Sequence, residues 1–365
     1  MQILDLFKKL VESKSETPDD GGLLDFIESY LPGFTAKRID IEDTKNLFIY
    51  KKFGEGDHLC FAGHVDVVPA GEGWDSDPYT LTEKDGYLYG RGTQDMKSGV
   101  AAFVQAVSET KEFNGTLSLL LTSDEEGEAT YGTIKVLEYL KEIDFLPNSV
   151  VVAEPTCEDE FGDAIKVGRR GSINGYITLK GKQGHAAYPE KAINPIHNIA
   201  SVLHNLAGVN IDEGDEFFSP SKFVVTDIRS GMQVTNVTPN ELKMMFNVRN
   251  TTLTTQKEVR EFVDAQLKEF DYELKLTQGS YPFCTDTDTK IVKNIGNAIK
   301  EVTGINPKHS TAGGTSDARF VAQFGVDVIE FGVKNDTIHA VNERTSAKEV
   351  EGLYRVFKKL IENWE

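Results

Sequence analysis

Four stretches of the chain place acids or imidazoles directly after short apolar runs. "CFAGHVD" carries His64 and Asp66, "LLLTSDEEG" carries Asp124, Glu125 and Glu126, "VVVAEP" ends on Glu154, and "VIEFG" leads on to His339. A glycine-rich turn, "GRGTQDMKSG", adds Asp95 just ahead of an apolar helical pattern. Carboxylates gathered in one cleft repel each other and must take up protons unless a cation neutralises them. Two histidines among several carboxylates suit zinc or a similar first-row ion, and the scarcity of cysteine argues against a thiolate site. One carboxylate shared by two ions, with a histidine and a further carboxylate on each, leaves an open position for a bridging water.

Taken singly, each signal is ordinary. An H-x-D pair is common in loops, a "DEEG" run suits the start of a helix, and a glutamate before proline can simply end a strand. His58, His197, His204 and His309 have no acid cluster at a strand end and read as structural. The glycines at 90, 92 and 99 fit neither GxGxxG nor GxxxxGK[ST], so the turn serves to aim Asp95 rather than to cradle phosphate. The joint pattern carries the weight.

The elements that must position these residues follow from periodicity. After an opening helix and a second over 22–30, "KNLFIYKK" and "HLCFAG" read as strands, "KSGVAAFVQAVSETK" as a helix, "TLSLLLTS" as a buried strand, "TIKVLEYLKEI" as a helix and "SVVVAE" as a strand. Such alternation predicts an α/β domain with a mostly parallel sheet, whose carboxyl strand ends gather ligands at one edge. From 172 the order becomes βαββαβ, a small α+β sheet of ferredoxin-like type, and near 285 the first rhythm resumes. The reading is a discontinuous α/β domain, 1–171 and 285–365, interrupted by an inserted domain, 172–284.

Composition narrows the function. The 365 residues carry a net charge of −19, which repels nucleic acid and anionic lipid, and no dense basic run offsets it. No apolar run approaches the ~20 residues of a spanning helix. The first twenty residues lack the charged, apolar, small-residue order of a secretory signal. With three cysteines in no paired framework, Cys60, Cys157 and Cys284, the expectation is a cytoplasmic protein without disulfides.

These motifs resemble, in order and over essentially the whole chain, the dinuclear zinc aminoacylases and exopeptidases of the M20 peptidase family: "GHVDVVP", "GRGTQDMKSG", "TSDEEG", "AEPT" and the late His339. A narrower likeness, to desuccinylases within that family, rests on "GRRGSINGYITLKGKQGHAAYP", "GGTSDARF" and "GVKNDTIHAVNE". The resemblance implies that Asp95 bridges two zinc ions per subunit, with cobalt an option at the second site. His64 and Glu154 complete one site, and Glu126 and His339 the other. It gives Asp66 the role of hydrogen-bonding the far nitrogen of His64 and Glu125 that of general base. It makes His185, on the inserted domain, an oxyanion donor in the partner's site of a homodimer. A cis peptide between Asp95 and Met96 is also implied.

The implied reaction is hydrolysis of a succinyl amide on a small anionic substrate. Arg169, Arg170 and Arg249 are candidates to grip its carboxylates, Thr315 to offer backbone N–H groups, and Tyr188, Asn236 and Asn335 to make further contacts. Competing readings are a sibling deacylase or dipeptidase, a metal-free binding protein on the same fold, and a dinuclear phosphoesterase.

Overall fold

The computed structural model describes residues 2–364. They divide into two compact units: the residues up to Val167 with Thr285–Ser310 and those from Ser316 on, and Gly168–Cys284 with Thr311–Thr315. The strand pair Gly168–Arg169 and Phe283–Cys284 therefore groups with the second unit, which begins a few residues ahead of the position expected from sequence, and the Thr311–Thr315 turn joins it.

In the first unit an eight-stranded sheet runs Thr35–Arg38, Asn46–Lys52, Thr116–Thr122, His58–His64, Ser149–Val152, Asp327–Glu330, Ala164–Lys166, Lys308–Ser310. Its four central strands, from Thr116–Thr122 to Asp327–Glu330, are parallel. They are buried along their whole length, apart from the exposed start at Asp327, which is why they read as unbroken apolar runs. Toward both edges the sheet is mixed. The first two strands are joined by a short turn and pair antiparallel, as does Asn46–Lys52 with Thr116–Thr122, while Lys166 meets Glu330 antiparallel.

Register brings the strand ends level. His64 lies opposite Thr122, Ala62 opposite Val152, and Val152 opposite Glu330. The loops leaving these ends carry the acids and imidazoles. The helix Lys97–Glu109 is buried from Lys97 to Val107, and it shares a core with Ala347–Glu362: the Phe61 ring stands 5.9 Å from that of Phe103 and 5.2 Å from that of Phe357. The second of these helices starts at a capping box, in which Ser346 Oγ accepts from the Glu349 N–H at 3.2 Å and the Glu349 carboxylate accepts from the Ser346 N–H at 3.1 Å.

A hairpin that periodicity did not suggest, Thr82–Lys84 and Tyr87–Tyr89, turns on Asp85 and Gly86, both at positive φ. Its second strand also pairs with Arg344–Thr345, so the approach to the Asp95 turn runs beside the chain that follows His339.

The second unit holds an antiparallel sheet ordered Phe223–Ser230, Glu241–Val248, Ser172–Lys180, Tyr272–Ser280. Strict alternation in Ser172–Lys180 and Glu241–Val248 turns Ile173, Ile177, Leu179, Leu242, Met244 and Phe246 into a core with Val259 and Val263 of the helix Gln256–Leu267. The other helix, Pro195–Val202, continues as a tight turn over Leu203–Asn205. Among the described residues no helix is long and apolar enough to cross a membrane.

Gly99 fixes how closely the helix behind Asp95 approaches the strand end that carries Glu154. A Cβ there would lie 2.4 Å from the Ala153 carbonyl oxygen. Gly99→Ala gains about 1 kcal/mol of helix propensity, but the overpacking costs about 1–3 kcal/mol. The expected net result is a lower melting temperature of the metal-free protein; an unchanged or raised one would show that the helix can back away freely.

Candidate metal centre

His64 is the last residue of a fully buried strand, and its ring is fixed from behind. Nδ1 donates to the backbone carbonyl of Asp66 at 2.9 Å, leaving Nε2 to face the acids. The expected partner was the Asp66 carboxylate, but that stands 3.6 Å away, too far for a hydrogen bond. The chain bends after His64, so the carbonyl reaches the ring. The carboxylate instead accepts from the Glu126 N–H at 3.2 Å and, more weakly, from that of Glu125 at 3.5 Å. Asp66 thus links two strand ends. Burial pushes its carboxyl up to about 6, with the His64 ring, Thr17 and the Glu126 N–H working against that rise.

Four groups meet around Asp95. One of its oxygens lies 3.2 Å from His64 Nε2 and the other 3.4 Å from His339 Nε2. Glu154 Oε1 is 3.8 Å from His64 Nε2, and Glu126 Oε1 is 3.0 Å from His339 Nε2. Two ligands about 2.1 Å from a common ion stand about 3.4 Å apart at the tetrahedral angle, so these separations fit one ion on each face of Asp95. Ligand atoms of His64, Glu125 and Glu154 also lie within 4.8 Å of one another, as do those of His64, Asp95 and Glu126. Nitrogen and oxygen donors of this kind, with no sulfur among them, suit a first-row divalent ion. The Asp95–Met96 peptide is cis, as the resemblance implies.

Asp124, next to these acids, is spent elsewhere. Its carboxylate accepts from the N–H groups of Ala129, Thr130 and Tyr131 at 2.9–3.2 Å and closes that loop. Sequence reasoning also assigned nothing to Glu343 and Arg91, a buried ion pair at 2.8 Å behind Asp95. Glu343 stood inside a motif, but a buried acid served by backbone N–H groups has the same letter as a surface one.

The charges explain one another. Burial works to raise the Asp95 carboxyl, yet the His339 and His64 rings outweigh it and hold it below the ordinary carboxylate range. Asp95 and Glu126 in turn raise the His339 imidazole to about 10. Burial would lower His64, but Asp95, Asp66, Glu125 and Glu154 hold it well above its usual value. Burial drives Glu125 well up, and Asp317, Asp95 and Glu126 add to the rise while His64 opposes it. Glu154 rises through burial, then through Asp95 and Glu125. Protons and divalent ions therefore compete for one cluster.

Most of the remaining candidates belong to the second unit. His185, Tyr188 and Asn236 come together in the second unit: the strand Gly184–His185 pairs with Val237–Thr238, the Ala186 N–H donates to Asn236 O at 3.0 Å, and the rings of His185 and Tyr188 are 5.9 Å apart. All three are exposed, and His185 Nδ1 accepts from the Ala187 N–H at 3.0 Å, leaving Nε2 outward. Arg170 and the exposed Arg249 flank the bond from the Gly171 N–H to Asn250 O at one end of the sheet. Arg169 is buried and donates to Ala312 O at 3.0 Å, so it holds the turn that leads to the half-buried Thr315. Asn335 lies in the first unit, exposed beside Pro155, the residue after Glu154. Cys60 and Cys157 are buried, which pushes their thiols up to about 12 and about 11 and makes them poor nucleophiles.

Residues 60–363 match the sequence pattern of peptidase family M20/M25/M40. The chain is 73% identical over its full length, and the relative's full length, to the succinyl-diaminopimelate desuccinylase of Sulfurimonas denitrificans. To the enzyme of that name from a Nitratiruptor species it is 65% identical, again covering both chains completely. Among solved structures it resembles aminopeptidase PepT from Bacillus cereus, with a TM-score of 0.80 at 20% identity over 99% of this chain and 97% of that one. It also resembles Bacillus subtilis YXEP, described as a dinuclear metal binding peptidase, with a TM-score of 0.70 at 16% identity over 98% and 96%.

The raised imidazoles and glutamates set a pH dependence. A group whose folded value lies above its unfolded one stabilises fully below the unfolded value, and that stabilisation is lost as pH rises through the folded value. For His339 the window runs from about 6.5 up to about 10. Melting temperatures of the metal-free protein should fall across this window. Zinc added at pH 7 should release protons, read by calorimetry in buffers of different ionisation enthalpy; uptake without proton release would contradict this charge balance.

Proposed function

Since the chain belongs to peptidase family M20/M25/M40, we propose that its cluster of acids and imidazoles is a dinuclear zinc centre and that it catalyses amide hydrolysis. The enzyme is a metal-dependent hydrolase that converts N-succinyl-LL-2,6-diaminopimelate to succinate and LL-2,6-diaminopimelate, in keeping with full-length relatives at 60–73% identity. The observation that supports the centre best is Asp95, with one oxygen toward each of two histidines.

In this reading His64, Asp95 and Glu154 hold one ion, and Asp95, Glu126 and His339 the other. Zinc would supply a Lewis acid that acidifies water and polarises the amide carbonyl, with cobalt an alternative at the second site. Glu125 is the general base and acid. It takes a proton from the attacking water and later delivers it to the leaving nitrogen, so the C–N bond breaks, a C–O bond forms and the amine departs neutral. Burial and acidic neighbours raise this carboxyl, which favours its holding the proton between the two transfers. Asp66 holds the backbone of Glu125 and Glu126 in place.

His185 is the proposed donor to the developing oxyanion. Its exposed place on the second unit suits delivery to another subunit, so we assign the protein as a homodimer formed through that unit, working in the cytoplasm. Arg170, Arg249, Tyr188, Asn236, Thr315 and Asn335 are the proposed contacts to the substrate's carboxylates and amine, with Arg169 bracing the turn before Thr315.

Glu125→Ala should bind metal normally and lose about two to four orders of magnitude in kcat; near-normal turnover would remove it as base. His185→Ala should also keep its metal and lose rate. When the two inactive variants are mixed and their subunits exchange, half the dimers regain one intact site, so activity should return to about a quarter of wild type. No recovery on mixing would place His185 in its own subunit's site. Substrate choice is checked by parallel assay with N-acetylornithine, where a preference for the acetyl compound would favour a sibling deacylase.

A further inference from the structure

We propose that Glu343 is the positioning residue that locks the Asp95 turn to the His339 loop, so that one carboxylate sets the affinity of both metal sites together. The inference rests on the reading of Asp95 as a bridging ligand.

Glu343 is fully buried, and both its oxygens are engaged. Oε2 accepts from Arg91 Nη1 at 2.8 Å and from the Gly92 N–H at 2.9 Å. Oε1 accepts from the Gln94 N–H at 2.8 Å and the Asp95 N–H at 3.2 Å. Three backbone N–H groups of the turn, those of Gly92, Gln94 and Asp95, are thus pinned by one side chain, the last of them at the bridging residue itself. A charged acceptor with this many donors is a strong and directional clamp.

The same residue sits four positions after His339 and carries the loop with it. Its backbone carbonyl accepts from the Gly90 N–H at 3.0 Å. Arg91, held by Glu343, donates to Ala340 O at 3.3 Å, next to His339, and to Ala70 O at 3.2 Å, with its guanidinium over the Trp74 ring. Gln94 closes the far side: its carbonyl oxygen accepts from the Thr337 N–H at 2.9 Å, and its amide donates to Asp336.

The loop benefits from such holding. His339 and Asn342 both have φ of 58°, a left-handed conformation that is uncommon outside glycine, though Asn and His adopt it more readily than most residues. Glu343 and Arg91 provide that holding. Asp95 and His339 then move as one piece, while His64 is carried separately by its strand.

The test is zinc binding to Glu343→Gln and Glu343→Asp, by competition with a chelator, beside wild type, Asp95→Asn and Leu353→Ala. The amide of Gln would turn two hydrogens toward donors, and Asp falls short of Gln94 and Asp95 while keeping its charge. Either variant should lose about 10- to 100-fold in affinity at both sites, and cobalt-loaded protein should show altered visible absorption. Asp, which keeps the pair with Arg91, covers the case in which the Gln variant does not fold. Leu353→Ala, a cavity in the helical core, lowers the melting temperature without touching the turn and should keep wild-type affinity. Wild-type affinity in both Glu343 variants, loss at one site only, or equal loss in Leu353→Ala overturns the inference. The bridging reading fails separately, if wild type takes up fewer than two zinc ions or Asp95→Asn retains both.

Discussion

Asp95 has to face two imidazoles at once while its own neighbours are acids, and the rest of the first unit is arranged around that demand. A lone buried carboxylate is costly, and a group of them is costlier still unless positive charge stands between them. Here the positive charge comes from protons on His64 and His339 or from divalent ions, and the two cannot occupy the same lone pairs. The cluster is therefore built for exchange. It holds together with protons at low pH and becomes a better ligand set as they leave.

Such a cluster needs a rigid frame, because ligand atoms displaced by an ångström no longer converge on one point. The frame is the level edge of four parallel strands, reinforced by buried polar groups that touch no ion themselves. Asp66 ties the Glu125–Glu126 backbone to the His64 strand, Asp124 closes the loop beyond them, and Lys97, fully buried, donates to Ser13 O at 2.9 Å beneath the Asp95 turn. Each of these acids has its lone pairs met by N–H groups, which is what makes burial tolerable. The acids toward the ligand cluster lack such partners and depend on charge.

How far this could be read from the sequence differs by kind of interaction. Strands buried on both faces leave unbroken apolar runs, and the residue just past each run is fixed by chain geometry, so His64, Glu125, Glu126 and Glu154 were legible. His339, nine residues past its strand, was legible only because it completed the set. The antiparallel edges of the sheet were not, since a strand's letters do not say which way its neighbour runs. Nor was the real partner of His64: a backbone carbonyl acts without any side-chain signature. The "EKDGYLY" hairpin did carry its signal, an Asp-Gly turn before a short aromatic strand, but three-residue strands are too brief for periodicity to find. Glu343 failed for the opposite reason, because its letter was noticed and its burial could not be.

The net charge of −19 sits oddly with an anionic substrate until distance is considered. At physiological ionic strength exposed charges more than about 8 Å apart are largely screened, so the acids scattered over the surface contribute little at the site. What a substrate carboxylate meets is set nearby. Two divalent ions carry as much positive charge as Asp95, Glu125, Glu126 and Glu154 together carry negative, so the loaded centre presents no net repulsion. In the proposed reading, attraction then falls to the arginines. Arg169 is already committed to the Ala312 carbonyl, which leaves Arg170 and Arg249 as the partners proposed above for that carboxylate. On that proposal, discrimination between a succinyl and an acetyl substrate reduces to whether one extra carboxylate finds such a partner, because the reacting amide is the same in both.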